Sequence, residues 1–197
     1  MKNVYFLTEK PFKNSAIACP EHRDLLTRSL IPELRNADHV PFDLFLKRSF
    51  LKENEFHFDD DTTGLAKIWQ DLLPNTMAWN VMSPKMKSLI DVNLSGLEPI
   101  VWMNINIRSK NESRVYYVPR FTDLPDVLDH NSTIFVKGTK HIVVPVFSEA
   151  KISKYSIFYI PRVGWEVPSG LYVTDSLKHV IRKAGLTGVT FENARVS

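Results

Sequence analysis

The chain has 197 residues, 44% of them apolar, and a formal charge of +3. That length suits one domain able to bury its own core, and the apolar share excludes a disordered or membrane-resident chain. Sparse glycine, a single cysteine (Cys19) and small, mixed charge argue against glycine-rich phosphate loops, an internal disulfide, a multi-cysteine zinc site and the one-sided basic face of a nucleic-acid binder.

Residues 4–8 read as a first strand, and this apolar run is too short for a secretory signal. No stretch reaches the length of a transmembrane helix, so the expected location is the cytoplasm, with no membrane contact. Residues 20–30 predict a helix around Leu25, Leu26 and Leu30, ending near Pro32. Over 38–55 the apolar residues cluster, but Pro41 and the Lys47-Arg48 pair break any period. Residues 56–63 read as a polar turn carrying Asp59, Asp60 and Asp61. The cleanest amphipathic pattern follows at 64–73, where Leu65, Ile68, Trp69, Leu72 and Leu73 share one helical face before Pro74-Asn75.

Period-two alternation of Val101, Met103, Ile105 and Ile107 with Trp102, Asn104, Asn106 and Arg108 predicts a strand over 100–108 with one face in the core and one wetter. A polar turn at Ser109-Lys110-Asn111-Glu112 leads to a returning strand over 113–121. Further strands are expected at 133–136, 141–147 and 156–160, with helical turns at 124–128 and 149–154. Short polar connections favour antiparallel pairing, so the fold class is α+β: one domain, 1–197, a mostly antiparallel sheet with packed helices.

One pattern occurs twice. An apolar run ends in a hydroxyl residue (Ser83, Thr174); a helix-length stretch follows, then an L-[ST]-G corner (Leu94-Ser95-Gly96, Leu186-Thr187-Gly188) and another apolar run. Ser83 and Thr174 stand at helix N-cap positions, Pro84 suits the first helical turn and Asp175 the positive end of the dipole. Met86, Leu89 and Ile90 in one copy, and Leu177, Val180, Ile181 and Ala184 in the other, form one buried stripe. Gly185 fits a left-handed stop. The units, near 80–108 and 171–196, read as strand, capped helix, turn, strand, and packing accounts for each residue in them.

Chemistry-bearing residues are scattered. No two histidines stand at metal-ligand spacing. Cys19 precedes His22 by three residues, a local proximity that reads as a bystander cysteine rather than a nucleophile and base. Asp123, Asp126, Asp129 and His130 are the densest acid–base run; they suit a small hydrolase if a cleft gathers them, or a solvated turn if none does. Asp59, Asp60 and Asp61 either cap the next element or form an acidic contact for a basic partner. Trp165, beside Glu166 in a loop bracketed by Pro161 and Gly170, either folds over the core or anchors an interface.

Val4-Tyr5-Phe6-Leu7-Thr8, the stretch 80–90, Asp126-Val127-Leu128-Asp129 with Ser132, and above all 172–196 with its A-G-L-T-G-V-T-F ending resemble bacterial immunity proteins of polymorphic toxin systems. The similar kinds are immunity protein forty-three and a related myxobacterial-type immunity family. The resemblance implies a non-enzymatic inhibitor with no catalytic residues, cofactor or metal, whose partner is a cognate toxin domain that it blocks or holds inactive. It transfers no functional residue. The contact surface is therefore expected in unrepeated segments, at Asp59, Asp60, Asp61, Trp165 and Glu166, because loops vary without unfolding a scaffold. The hydrolase built on Asp126, Asp129 and His130, and a structural adaptor unconnected to toxins, are the alternatives.

Overall fold

The computed structural model describes residues 3–10, 15–21, 30–53, 55–123, 125–160 and 167–197. In chain order the strands and helices are β1 (Val4–Glu9), β2 (Ala16–Pro20), α1 (Ile31–Leu34), β3 (Leu44–Lys52), β4 (Glu55–Asp59), β5 (Leu72–Leu73), β6 (Val81–Met82) and α2 (Pro84–Asp91). Then come β7 (Ile100–Arg108), β8 (Ser113–Phe121), β9 (Ile134–Phe135), β10 (Ile142–Val144), β11 (Val146–Phe147) and α3 (Glu149–Ile152). The chain closes with β12 (Ile157–Phe158), β13 (Leu171–Thr174), α4 (Asp175–Lys183), β14 (Val189–Asn193) and β15 (Arg195–Val196). Among the described residues strand outweighs helix, 41% against 15%, which makes this a mostly-sheet α+β fold.

The larger sheet runs β2-β3-β7-β8-β6-β5, with β4 added on β3. It curls until its ends meet. Ala18 N–H donates to the Pro74 carbonyl and Thr76 N–H to the Ala18 carbonyl, so the segment just past β5 pairs back onto β2. Asn75 holds this seam. Its amide donates to the Leu73 and Trp79 carbonyls, and its Oδ1 accepts from Met77 N–H and Trp79 N–H. Inside the curl lie Ala16, Ala18, Leu44, Leu46, Leu73, Trp79, Val81, Met103, Ile105, Ile107, Tyr116 and Val118. Alternation along each strand turns the intervening residues outward. Thus Leu73 and Val81 enter this core while their neighbours Leu72 and Met82 enter a second one.

That second core lies between the curled sheet, the two longer helices and a smaller sheet of order β12-β13-β1-β14. Met86 and Ile90 of α2 meet Leu177 and Ile181 of α4 there. The two repeated units therefore pack helix to helix, and Lys85 of α2 donates to the Ala184 carbonyl at the end of α4. Ser83 caps α2 as expected, its Oγ accepting from Met86 N–H at 3.1 Å. Thr174 occupies the equivalent position, but its hydroxyl turns to the Ser156 carbonyl instead. Gly185 has φ +64°, the expected left-handed stop. A third cluster, with Val4, Val127, Phe147, Ile152, Phe158 and Tyr172, fills the other face of the smaller sheet.

Several expectations need correction. Residues 64–73 form no helix. Gly64 sits at φ +79°, Leu72 and Leu73 pair as β5, and Asp71 N–H and Leu72 N–H bond to the Thr187 hydroxyl and carbonyl rather than to a helical turn. The apolar spacing there reflects one-sided burial of an extended cover, because Leu65, Ile68 and Trp69 lie against the curled-sheet core. Without capping, a short helix cannot repay its nucleation cost against such long-range bonds. The first half of the turn predicted at 56–63 is β4, paired along β3 from Lys52↔Glu55 to Arg48↔Asp59, and only 60–63 are irregular. The aperiodic stretch before it contains β3, read poorly because different parts of it face β2, β4 and β7. Pro20 ends β2 rather than starting a helix; 22–29 lie outside the described residues, and Pro32 opens α1 instead of closing a helix. Residues 125–128 are not helical, and Leu128 bridges to Phe147.

The predicted β7–β8 hairpin forms in full, from Ile100↔Phe121 to Arg108↔Ser113. Met103, Ile105 and Ile107 form the buried face, but Val101, in the same alternating series, is 37% exposed. Between named strands the pairings are antiparallel except β3–β7 and β11–β15, and the isolated bridges Ser15↔Lys67, Ala18↔Asn75 and His39↔Asn104 are parallel too, all among the described residues. No helix of the described residues is long and apolar enough to cross a membrane.

Candidate functional site

The acidic triplet stands where β4 ends, and the polypeptide folds it back on itself. Asp59 Oδ1 accepts from Asp61 N–H at 2.9 Å, and Asp61 Oδ1 accepts from Thr63 N–H at 2.9 Å. These are the side-chain-to-backbone bonds by which aspartate makes turns. The Thr63 bonds hold the Asp61 carboxyl below the usual carboxylate range. Two cations of β3 stand alongside: Lys47 Nζ is 3.0 Å from Asp60 Oδ1, and Arg48 donates to the Thr63 carbonyl. Asp60 nevertheless remains 85% exposed. Phe50, 42% exposed, stacks on His57 across the same hairpin at 5.7 Å. The result is an exposed acidic run at the open end of the hairpin, opposite the end closed at Lys52↔Glu55, with an aromatic pair midway along the strands and its charge partly countered from within. Trp165 and Glu166 lie outside the described residues.

The run from Asp126 to His130 is solvated and divided. Asp126 takes Lys151, at 2.9 Å, and stands 3.7 Å from His130 Nε2; the side chains of His130 and Asp126 are 64% and 66% exposed. Asp129 turns elsewhere, accepting from Ser132 Oγ at 2.7 Å and from Asn131 N–H at 2.9 Å. Bonds from Ser132, Ser197 and Asn131 hold its carboxyl below the usual range. Asp126 and His130 thus stand together on the surface while Asp129 takes other partners, and the arrangement is that of a solvated turn. Cys19 is buried on β2, its Sγ 3.9 Å from the Ile17 carbonyl, while His22 lies outside the described residues. Among the described residues no three His, Cys, Asp or Glu side chains gather to hold a metal ion.

Two polar joints between the sheets escape any reading of local pattern. Asp71 is the first. Its Oδ1 accepts from Ser83 Oγ at 2.7 Å, and its Oδ2 accepts from Thr187 N–H at 2.8 Å and Thr187 Oγ1 at 2.9 Å. One carboxylate thereby ties the cap of the first repeated unit to the corner of the second. Glu9, at the end of β1, is the other, with Asn75 donating to its Oε1 at 3.2 Å. Burial pushes the Glu9 carboxyl up to about 7, with hydrogen bonding from Asn75 opposing the rise.

A carboxyl raised in the folded state favours the proton-bound fold. Its contribution is complete below the unfolded value of 4.5 and is lost as pH rises towards about 7. Stability should therefore fall across that window. Glu9→Gln should remove the fall and stabilise the protein at pH 8 by roughly 1–2 kcal/mol, allowing for solvent screening. Urea melts at pH 5 and pH 8 check this; an equal response of both proteins to pH would contradict it.

No protein-family model matches the chain, and no curated protein matches it.

Proposed function

We propose that the chain is an immunity protein that binds a cognate toxin domain inside the bacterial cell and neutralises it without catalysis. The observation that carries this reading is the resemblance of 172–196 to such proteins. That segment is β13, α4 and β14, whose Leu177 and Ile181 are committed to the core, so binding falls to exposed segments elsewhere. The acidic end of the β3–β4 hairpin is the contact we assign among the described residues. A basic toxin, such as one that grips nucleic acid, would meet it with complementary charge, which speeds encounter.

Co-expression with a toxic domain encoded beside this gene should restore growth, and the two proteins should co-purify. Absence of any such neighbour, or unrelieved toxicity, would overturn the assignment. Replacing Asp59, Asp60 and Asp61 together with alanine should weaken toxin binding about tenfold and flatten its salt dependence. The melting temperature should change little, because these are exposed turn and surface-pair contacts. Unchanged affinity in that variant would move the contact surface elsewhere while leaving the immunity assignment standing.

A further inference from the structure

The β9–β10 hairpin shows its apolar residues to water. Phe135 pairs with Ile142 and Val144 with Ile134. Phe135 stacks on His130 and Ile142 packs on the third core, so these two define the inward face. Ile134 and Val136 flank Phe135, so strand alternation puts both on the opposite face, and Val143 is the extra residue where the register shifts between Ile142 and Val144, beside Ile134. They are 51%, 46% and 57% exposed. A solvent-facing hairpin ordinarily carries polar residues at such positions, and edge strands are blunted by charge.

The charges here gather at the tip instead. Lys137, Lys140 and His141 are exposed around Gly138, and no aspartate or glutamate occurs between Asn131 and Ser148. The nearest carboxylates in sequence, Asp126 and Asp129 before the hairpin and Glu149 after it, lie towards its base; Asp126 is engaged by Lys151 and Asp129 by Ser132. The hairpin is a two-stranded sheet of its own, with neither outer edge paired among the described residues.

We propose that this hairpin docks an acidic protein segment that adds as a third strand beside β9. Three features select that occupant. The exposed aliphatic face needs apolar cover. The cationic tip, lacking carboxylates, needs an acidic partner and opposes a second copy of itself. The open edge offers backbone donors and acceptors that a strand satisfies and a lipid tail does not. β9 is the better edge because β10 runs into Pro145, which has no N–H to donate. This surface is distinct from the acidic end of β4, and the inference stands whether or not the partner is a toxin.

The test uses fluorescein-labelled peptides of about ten residues that alternate valine with threonine, with two glutamates at one end. Controls carry two lysines there instead, or a central proline. Anisotropy should show the glutamate peptide binding at least about tenfold tighter than either control. Ile134→Ser with Val143→Ser should abolish binding without lowering the melting temperature, because both side chains are already exposed. Lys137→Glu with Lys140→Glu should reverse the preference to the lysine peptide. Equal binding of all peptides, or none, would overturn the proposal. So would selective binding to phosphatidylserine vesicles, or self-association lost in the serine variant.

Discussion

Gly188→Ala is expected to be the most damaging glycine-to-alanine change among the described residues, costing about 3–5 kcal/mol or preventing folding. A Cβ on Gly188 would overlap the Leu72 carbonyl oxygen and approach Gln70 Oε1 to 3.0 Å. The first obstacle is backbone and cannot swing away. Gly188 also sits at φ +78°, a conformation that strains any L-residue. The position lies in a joint: Thr187 accepts from Leu72 N–H, and Gly188 accepts from Lys10 N–H at 2.9 Å. Separating them would pull β5 from the smaller sheet. Gly96, at the same place in the first repeated unit, has φ +87° but nothing within 4 Å of its missing Cβ. Gly96→Ala should therefore cost only about 1 kcal/mol, from backbone strain alone. Urea melts of the two variants measure the difference; equal losses would show that conformation, and not the close approach, decides the effect.

Asp71→Ala should cost about 2–4 kcal/mol, because it leaves Ser83 Oγ, Thr187 N–H and Thr187 Oγ1 without the charged acceptor they share. Asp71→Asn should fall between, since one amide oxygen serves one side of the clamp while the NH₂ faces a donor on the other. A double-mutant cycle with Thr187→Val should return a coupling above about 1 kcal/mol. Additive losses would mean that Asp71 stabilises the fold through something other than this bridge. The paired helices also make a kinetic check possible: if the bridge forms late, Asp71→Ala should chiefly speed unfolding.

The toxin-binding assignment depends on different residues from these two joints, so the stability and binding tests separate. Gly188 and Asp71 hold the scaffold; the acidic turn and the apolar hairpin are exposed, and their variants should fold. A loss of growth protection that tracks melting temperature would point to the scaffold. A loss without it would point to a contact surface.

What the sequence determined by itself is whatever repeats within one turn or one strand. The α2 and α4 stripes, the Ser83 cap, the Gly185 stop and the β7–β8 alternation were all legible, because each depends on neighbours a few positions away. The acidic turn at Asp59, Asp60 and Asp61 was legible as composition, and its turn chemistry emerged as local bonds. The exposed apolar hairpin was visible only as a strand-rich stretch, since periodicity cannot tell which of two apolar faces meets water. Tertiary structure decided the rest. It made an extended cover of 64–73, since Leu72 and Leu73 face two different cores and Asp71 reaches Thr187, distant in sequence. It closed the larger sheet through Asn75 and set the two repeated helices side by side. Those outcomes rest on hydrogen bonds and burial between remote segments, whose closure entropy is offset only when the whole fold assembles.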